Sequence, residues 1–211
     1  MIFRHLRRYL LNYIILIVSL ATPSFFIYDS YSKKNIKDDA IMEEGKIKIA
    51  LKRLKVKPYL VETLPSIISY SAQKYNVNWK DIVATIQVES GFREHAVGDS
   101  IPGKTTLRAR GFGQHLPSTG EWIAERTGLP WYGPETLDNP LFSIPATAYY
   151  IAEEYIIWQS QEKMVKGYYL GDRRLHSYYD GDSDARAFYK EHDAEGHWQK
   201  YKHYYEMIND I

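Results

Sequence analysis

The chain has 211 residues, 45% of them hydrophobic, with 19 Tyr, 5 Trp and no cysteine. That length holds one domain of ordinary size plus an extension, and the lack of cysteine excludes disulfides, thiol nucleophiles and cysteine-ligated zinc. The net charge of +1 hides an asymmetry: residues 1–60 carry 12 Lys/Arg against 5 Asp/Glu, leaving −6 on residues 61–211, which argues against nucleic acid as a partner.

The first 28 residues read as a membrane signal. Arg4, Arg7 and Arg8 precede a mostly apolar run from Leu10 to Tyr28. Such a run spans about 28 Å as a helix, close to the thickness of a bilayer's hydrocarbon core. The leading arginines favour a cytoplasmic N-terminus and place the rest of the chain across the membrane. The expectation is a single-pass inner-membrane anchor with the catalytic part outside. The competing reading is a secretory signal cut near Ala21; "TPSFFIY" continues the apolar run past that point and favours the anchor. Residues 29–57 are charged and low in aromatics, and "KIKIALKRLKVK" alternates basic and apolar residues. They read as a solvated linker ahead of a domain over 58–211.

From residue 58 the pattern is helical. "PYLVETLPSIISYSAQKY" places Ile67, Ile68 and Ala72 on one side and stops at "NVN". Asn78 is an N-cap candidate, with Asp81 three residues on where a capping partner belongs. Ile82, Val83, Ile86 and Val88 then make a strongly apolar, central helix. A Gly/Pro-rich loop, "GDSIPGKTTLRARGFGQ", comes next. Further helices are expected at "STGEWIAERTG" and "FSIPATAYYIAEEYIIWQSQEKMVKGYY", with Pro145 in a first turn, and in the tail at "DARAFYKE" and "HWQKYKHYYEMIND". No set of alternating strands is present, so the class is mainly α.

Glu89 ends the apolar helix. It lies seven residues after Ile82 and three after Ile86, and so shares their inward face. Burial and the negative end of the helix both favour the neutral acid there. A carboxylic acid kept protonated can hand its proton to a leaving oxygen.

Four short elements follow in order: "VESGF" (88–92), "ARGFGQ" (109–114), "NPLFSIPATAYYI" (139–151) and "SYYDG" (177–181). Together, across roughly residues 60–185, they resemble the soluble lytic transglycosylase family, whose lysozyme-like fold is shared with goose-type lysozymes. The resemblance implies a lysozyme-like helical domain acting on peptidoglycan glycan strands without a cofactor or metal. It assigns Glu89 as the catalytic acid and Ser90 as the serine beside it. Gln114 takes the place of the glutamine closing Gly-Leu-Met-Gln, which contacts sugar. Tyr150 falls where a tyrosine follows the family's Asn-Ile, here Ser143-Ile144. Tyr178 matches the tyrosine of Ala-Tyr-Asn-Ala-Gly, which in the family hydrogen-bonds the acid.

The departures are Phe112-Gly113 in place of Leu-Met, the altered "SYYDG", and the inserted "IPGKTTLR". The implied reaction cleaves the bond between N-acetylmuramic acid and N-acetylglucosamine and closes a 1,6-anhydro ring. A lysozyme-type hydrolase on the same fold, or a catalytically silent wall-binding module, are the alternatives. By analogy, a small anchored enzyme of this kind would open the wall for an envelope-spanning secretion, conjugation or phage apparatus.

Other motifs weigh less. Glu94 and Asp99 read as solvated loop acids. His192 and His197, beside Asp193 and Glu195, read as surface histidines without metal spacing. Gly98 and "GKTT" spell a P-loop-like string without its preceding strand. Asp180, Asp182, Asp184 and Glu191 sit at calcium-loop offsets, but Ala185 occupies the place where that loop needs glycine. The segment reads better as a turn capping the next helix.

Overall fold

The structure is a computed structural model that describes residues 38–98 and 108–211. The apolar run Leu10 to Tyr28 and most of the loop carrying Asp99 lie outside these residues. Among the described residues no helix is long and apolar enough to cross a membrane. The chain divides into two units, 1–43 and 44–211. Residues 38–43 of the first are helical; the second carries everything below.

In this second unit, helix α1 covers residues 44–53. Its Ile47, Ala50 and Leu51 are fully buried in the main core. Their i, i+3, i+4 spacing is the signature of one helix face, so this stretch joins the domain where the sequence suggested a solvated linker. Two ion pairs hold it in place: Lys48 to Glu62, and Arg53 to Asp210 near the C-terminus.

Helix α2 (Pro58–Tyr75) starts on a proline at its first position and ends at Asn76, whose φ of 52° is left-handed. Asparagine tolerates that conformation better than most residues. Helix α3 (Trp79–Glu89) is capped by Asn78, whose side chain accepts from Lys80 N. Ile82, Val83 and Ile86 are fully buried, as their periodicity predicts. Asp81 does not close a capping box. It turns into the core, where Tyr201 Oη donates to it at 2.5 Å, Gln161 Nε2 at 2.8 Å and Tyr155 Oη at 3.2 Å.

Helix α4 (Pro117–Thr127) and the 3₁₀ turn Pro134–Asp138 lead to α5 (Pro140–Trp158). Asn139 caps α5 and Pro140 takes its first position, so Pro145 lies inside the helix and not in its first turn. The long helix expected through "KGYY" is broken at Gln159, which has φ 50°, and α6 (Gln161–Leu170) restarts under a Ser160 cap. Helices α7 (Asp172–Tyr179), α8 (Ser183–Glu191) and α9 (Ala194–Ile208) complete the chain.

The core lies between α1, α2, α3, α5, α6 and α9. Helix α3 runs through it against α2, α5 and α9. Beta structure among the described residues consists of isolated bridges joining Arg110 to Val97 and to His115. The domain is therefore mainly α, and α3 carries Glu89 from the middle of the core to its edge.

Candidate active site

Glu89 is the last residue of α3, and its side chain is 12% exposed. The chain leaves it sharply. Ser90 caps the helix, and Gly91 and Phe92 both have φ 59°. A left-handed phenylalanine is strained, and packing holds it: Phe92 is buried and meets Phe112 edge-on at 6.4 Å. This aromatic contact ties the turn after Glu89 to the loop of residues 108–116.

That loop is built by backbone bonds and one side chain. Gly111 N donates to Ala96 O and Arg110 N to His115 O, each at 3.0 Å. Gly111 has φ 73°, and a Cβ there would come within 1.8 Å of Leu137 O, so only glycine fits. Gln114 spends its amide on the loop itself: Nε2 donates to Gly111 O at 2.8 Å and to Ala96 O at 3.0 Å. The structure thus gives Gln114 a loop-clamping role, with no donor left over on Nε2 for a sugar. Ser90 is likewise turned inward, its hydroxyl donating to Ile86 O at 3.2 Å.

Behind the loop lies a buried polar cluster. Tyr168 Oη donates to Gly113 O at 2.8 Å and lies 3.1 Å from His115 Nε2. Thr147 Oγ1 donates to Ser143 O and sits 3.4 Å from the same imidazole nitrogen. Burial pushes His115 down to about 4, so it is neutral at pH 7. These groups explain Gly113, which stands where the related family carries methionine. A Cβ at Gly113 would come within 2.1 Å of Thr147 Oγ1, 2.8 Å of Tyr168 Oη and 2.9 Å of His115 Nε2. Gly113→Ala is expected to destabilise the protein by about 1.5 kcal/mol, as overpacked cores do. An unchanged midpoint in urea denaturation would refute this packing account.

Three ionisable groups face Glu89. Tyr168 and Tyr169, on α6, both feel its negative charge, which adds to burial in raising their hydroxyl pKa values. His197, on α9, places Nε2 3.2 Å from Glu89 Oε1 and is itself 13% exposed. Oε1 is buried and has no aligned hydrogen-bond donor, so the imidazole approaches it closely but with imperfect hydrogen-bond geometry. His197 is thus packed beside the acid and not on the open surface that the sequence suggested. Trp198, its neighbour in sequence, packs against the main core.

Tyr178 stacks on Tyr189 of α8 at 4.0 Å and touches Tyr179 edge-on. The tyrosines beside Glu89 come from "GYYLG" (167–171), ten residues earlier, which has the same small-Tyr-Tyr-x-Gly form as "SYYDG". The chain thus carries this pattern twice, and the family resemblance was drawn to the second copy. The acids that follow "SYYDG" cap a helix: Asp182 accepts from Ala185 N at 2.8 Å at the start of α8. Glu94, expected to be free in its loop, accepts from Tyr59 Oη.

Tyr150 is wedged between His115 at 5.7 Å, Tyr168 at 5.1 Å and Trp122 at 6.3 Å between ring centres. It opens onto a cleft of about 440 Å³ that is also lined by Ser118, Thr119, Trp122, Glu154 and Asp172. Glu154 was not anticipated from the sequence. It is 1% exposed, and burial with the nearby charge of Asp172 pushes it up to about 8. Its Oε2 lies against Gly167, where a Cβ would come within 2.1 Å, so the acid is locked into the α5–α6 contact. Its only sequence signal is its place four residues after Tyr150 on an apolar helix.

A larger cavity of about 810 Å³ lies around Asp81, lined by Tyr75, Asn78, Tyr155, Gln161 and Tyr205. Asp81 is raised by burial, but its oxygens are occupied by Tyr201, Gln161 and Tyr155. It precedes Glu89 by eight residues, roughly 12 Å along α3. A carboxylate with both oxygens taken is poorly placed for proton transfer, which leaves Glu89 as the better candidate.

Comparison with known proteins agrees with this architecture. The Transglycosylase SLT domain family model matches residues 66–189. No curated protein matches the chain by sequence. Among solved structures, an inactive mutant of the lytic transglycosylase Slt from Pseudomonas aeruginosa superposes with a TM-score of 0.58 at 16% identity, covering 70% of this chain and 24% of that one. The 70 kDa soluble lytic transglycosylase from Escherichia coli gives 0.53 at 15% identity, covering 67% and 23%. The chain therefore spans about a quarter of the length of either structure, and on the match over residues 66–189 it belongs to the transglycosylase SLT domain family.

Proposed function

We propose that the protein is a membrane-anchored peptidoglycan lytic transglycosylase in which Glu89 is both acid and base. The observation that carries the reading is one nearly buried carboxyl at the end of a core helix, faced by Tyr168, Tyr169 and His197 inside the family-matched fold. A single carboxyl suffices when the substrate supplies its own nucleophile, the substrate-assisted exception to the two-carboxylate scheme. Glu89 gives its proton to the oxygen linking C1 of N-acetylmuramic acid to C4 of N-acetylglucosamine, and that C–O bond breaks. The N-acetyl carbonyl oxygen of the muramic residue bonds to C1 from the opposite face. Glu89, now ionised, takes the C6 hydroxyl proton. O6 then displaces the N-acetyl oxygen at C1 and closes the 1,6-anhydro ring.

The N-terminal run from Leu10 to Tyr28 would hold this domain at the outer face of the inner membrane, where glycan strands are within reach. Aromatic Tyr150 and Trp122, which line the adjacent cleft, suit the flat apolar faces of sugar rings. Mass spectrometry of the soluble products released by the full chain from purified sacculi tests the proposal. Anhydro-muropeptides are expected. Products with reducing ends would instead mean hydrolysis by water on the same fold, and no release would leave a wall-binding module.

A further inference from the structure

The family match ends at residue 189, yet Glu89 is contacted by a helix beyond it. We propose that His197, on α9, is a positioning residue that holds Glu89 Oε1 and leaves the other carboxyl oxygen to carry the proton. The proposal rests on the reading of Glu89 as the acid and base.

Helix α9 is pinned to both ends of α3, the residue numbers running in opposite directions on the two helices. At the start of α3 Lys80 Nζ donates to Asn209 O at 2.7 Å and Asp81 accepts from Tyr201 Oη at 2.5 Å; at its end Glu89 meets His197 at 3.2 Å. Tyr201 and Ile208 are buried in the shared core, so the register that brings His197 to Glu89 is set by packing over the helix length. The imidazole is also held in orientation. It stacks on Tyr169 at 3.9 Å with 12° between the planes, and Tyr169 belongs to α6. Asp193 caps α9 through Gly196 N at 3.1 Å and fixes the first turn, in which His197 lies.

A donor on Nε2 is what the proposed role requires. A neutral His197 with its proton on Nε2 can donate to Oε1 whether Glu89 is ionised or protonated on its other oxygen. It therefore serves both halves of the reaction without competing for the proton. The catalytic carboxyl is held at a fixed angle, and hydrogen bonds of this kind often tighten only when substrate arrives. A charged imidazole would act differently, because its positive charge stabilises the carboxylate and withholds the acid. The other ionisable groups facing the pair are Tyr168 and Tyr169 from α6, whose hydroxyls burial pushes upward, and Asp193 from the α9 cap.

The test uses the full chain on purified sacculi, with His197→Gln, His197→Phe and His197→Ala beside the wild type. Gln keeps a donor at about the position of Nε2 but cannot become charged. Phe keeps the stacking on Tyr169 but has no donor. The expected result is that Gln stays within about threefold of wild-type kcat, while Phe and Ala lose about tenfold to thirtyfold in kcat at unchanged KM. A residue that merely packs predicts the reverse order, with Phe active and Gln impaired, and that order would overturn the proposal. So would all three variants matching the wild type in kcat and KM, or all three failing alike. A wild-type chain that releases nothing would instead overturn the reading of Glu89, and this proposal with it.

Discussion

Replacing Glu89 with glutamine is expected to cut release of glycan fragments about a thousandfold, within the range that general acid–base groups contribute. In free-energy terms that is roughly 4 kcal/mol of lost transition-state stabilisation. The substitution keeps the shape of the side chain and removes only its ability to give and take a proton. Fold stability should barely change, because Glu89 makes a single poorly aligned contact through Oε1. The measurement is a turnover assay on purified peptidoglycan paired with a thermal melt. A Glu89→Gln chain that digests as fast as wild type would sink the catalytic assignment. A variant that loses both activity and its folding transition would show that Glu89 supports the fold.

The second large effect concerns Glu154 and stability against pH. Its pKa moves from 4.5 for the free side chain to about 8 in the folded protein. A carboxyl whose folded pKa is raised binds its proton more tightly in the native state. Its contribution is fully present below pH 4.5 and is lost progressively as pH rises towards 8. Over the whole window the loss amounts to roughly 5 kcal/mol. His115 has the opposite sign. Its pKa falls from 6.5 to about 4, so stability drops as pH falls between those values and is complete above 6.5. Between pH 6.5 and 8.5 only the Glu154 decline remains of the two, about 2 kcal/mol.

Glu154→Gln should abolish that decline, since a neutral amide has no proton to lose. Its polar neighbours Trp158 and Tyr150 face an amide of the same shape. At pH 5.5 the variant and the wild type should have similar urea midpoints; at pH 8.5 the variant should be the more stable. Parallel pH dependence in the two proteins would refute the buried-acid account. Such an acid beside a cleft resembles a catalytic residue. The contact of its Oε2 with Gly167, and its near-complete burial, identify it instead as part of the α5–α6 packing.

Much of the fold was legible in the order of residues. Ile82, Val83 and Ile86 announce α3 by their period, Asn78 announces its start, and Glu89 falls at its end on the same face. The cap at Asp182 was readable for the same reason, because capping is a local interaction between residues three apart. Helix α1 was harder. "KIKIALKRL" alternates basic and apolar residues and reads as a linker, and the burial of Ile47, Ala50 and Leu51 depends on a partner surface far away in sequence. The break at Gln159 has no glycine or proline to mark it; a left-handed glutamine ends α5 where Ser160 is ready to cap α6.

The site divides along the same line. By itself the sequence determined that a carboxyl stands at the edge of an apolar helix, and that the elements around it follow the order of one family. Those are properties of spacing along the chain. It did not single out Tyr168, which lies in a small-Tyr-Tyr-x-Gly segment like that of Tyr178 and is brought within reach of the charge of Glu89 by the path of α6. It could not show that Gln114 clamps its own loop, since that depends on where the carbonyls of Ala96 and Gly111 point. Nor could it bring His197 to Glu89 across more than a hundred residues. Only the tertiary structure decided these, because each depends on how separately readable helices pack against one another, a long-range choice that no local pattern encodes.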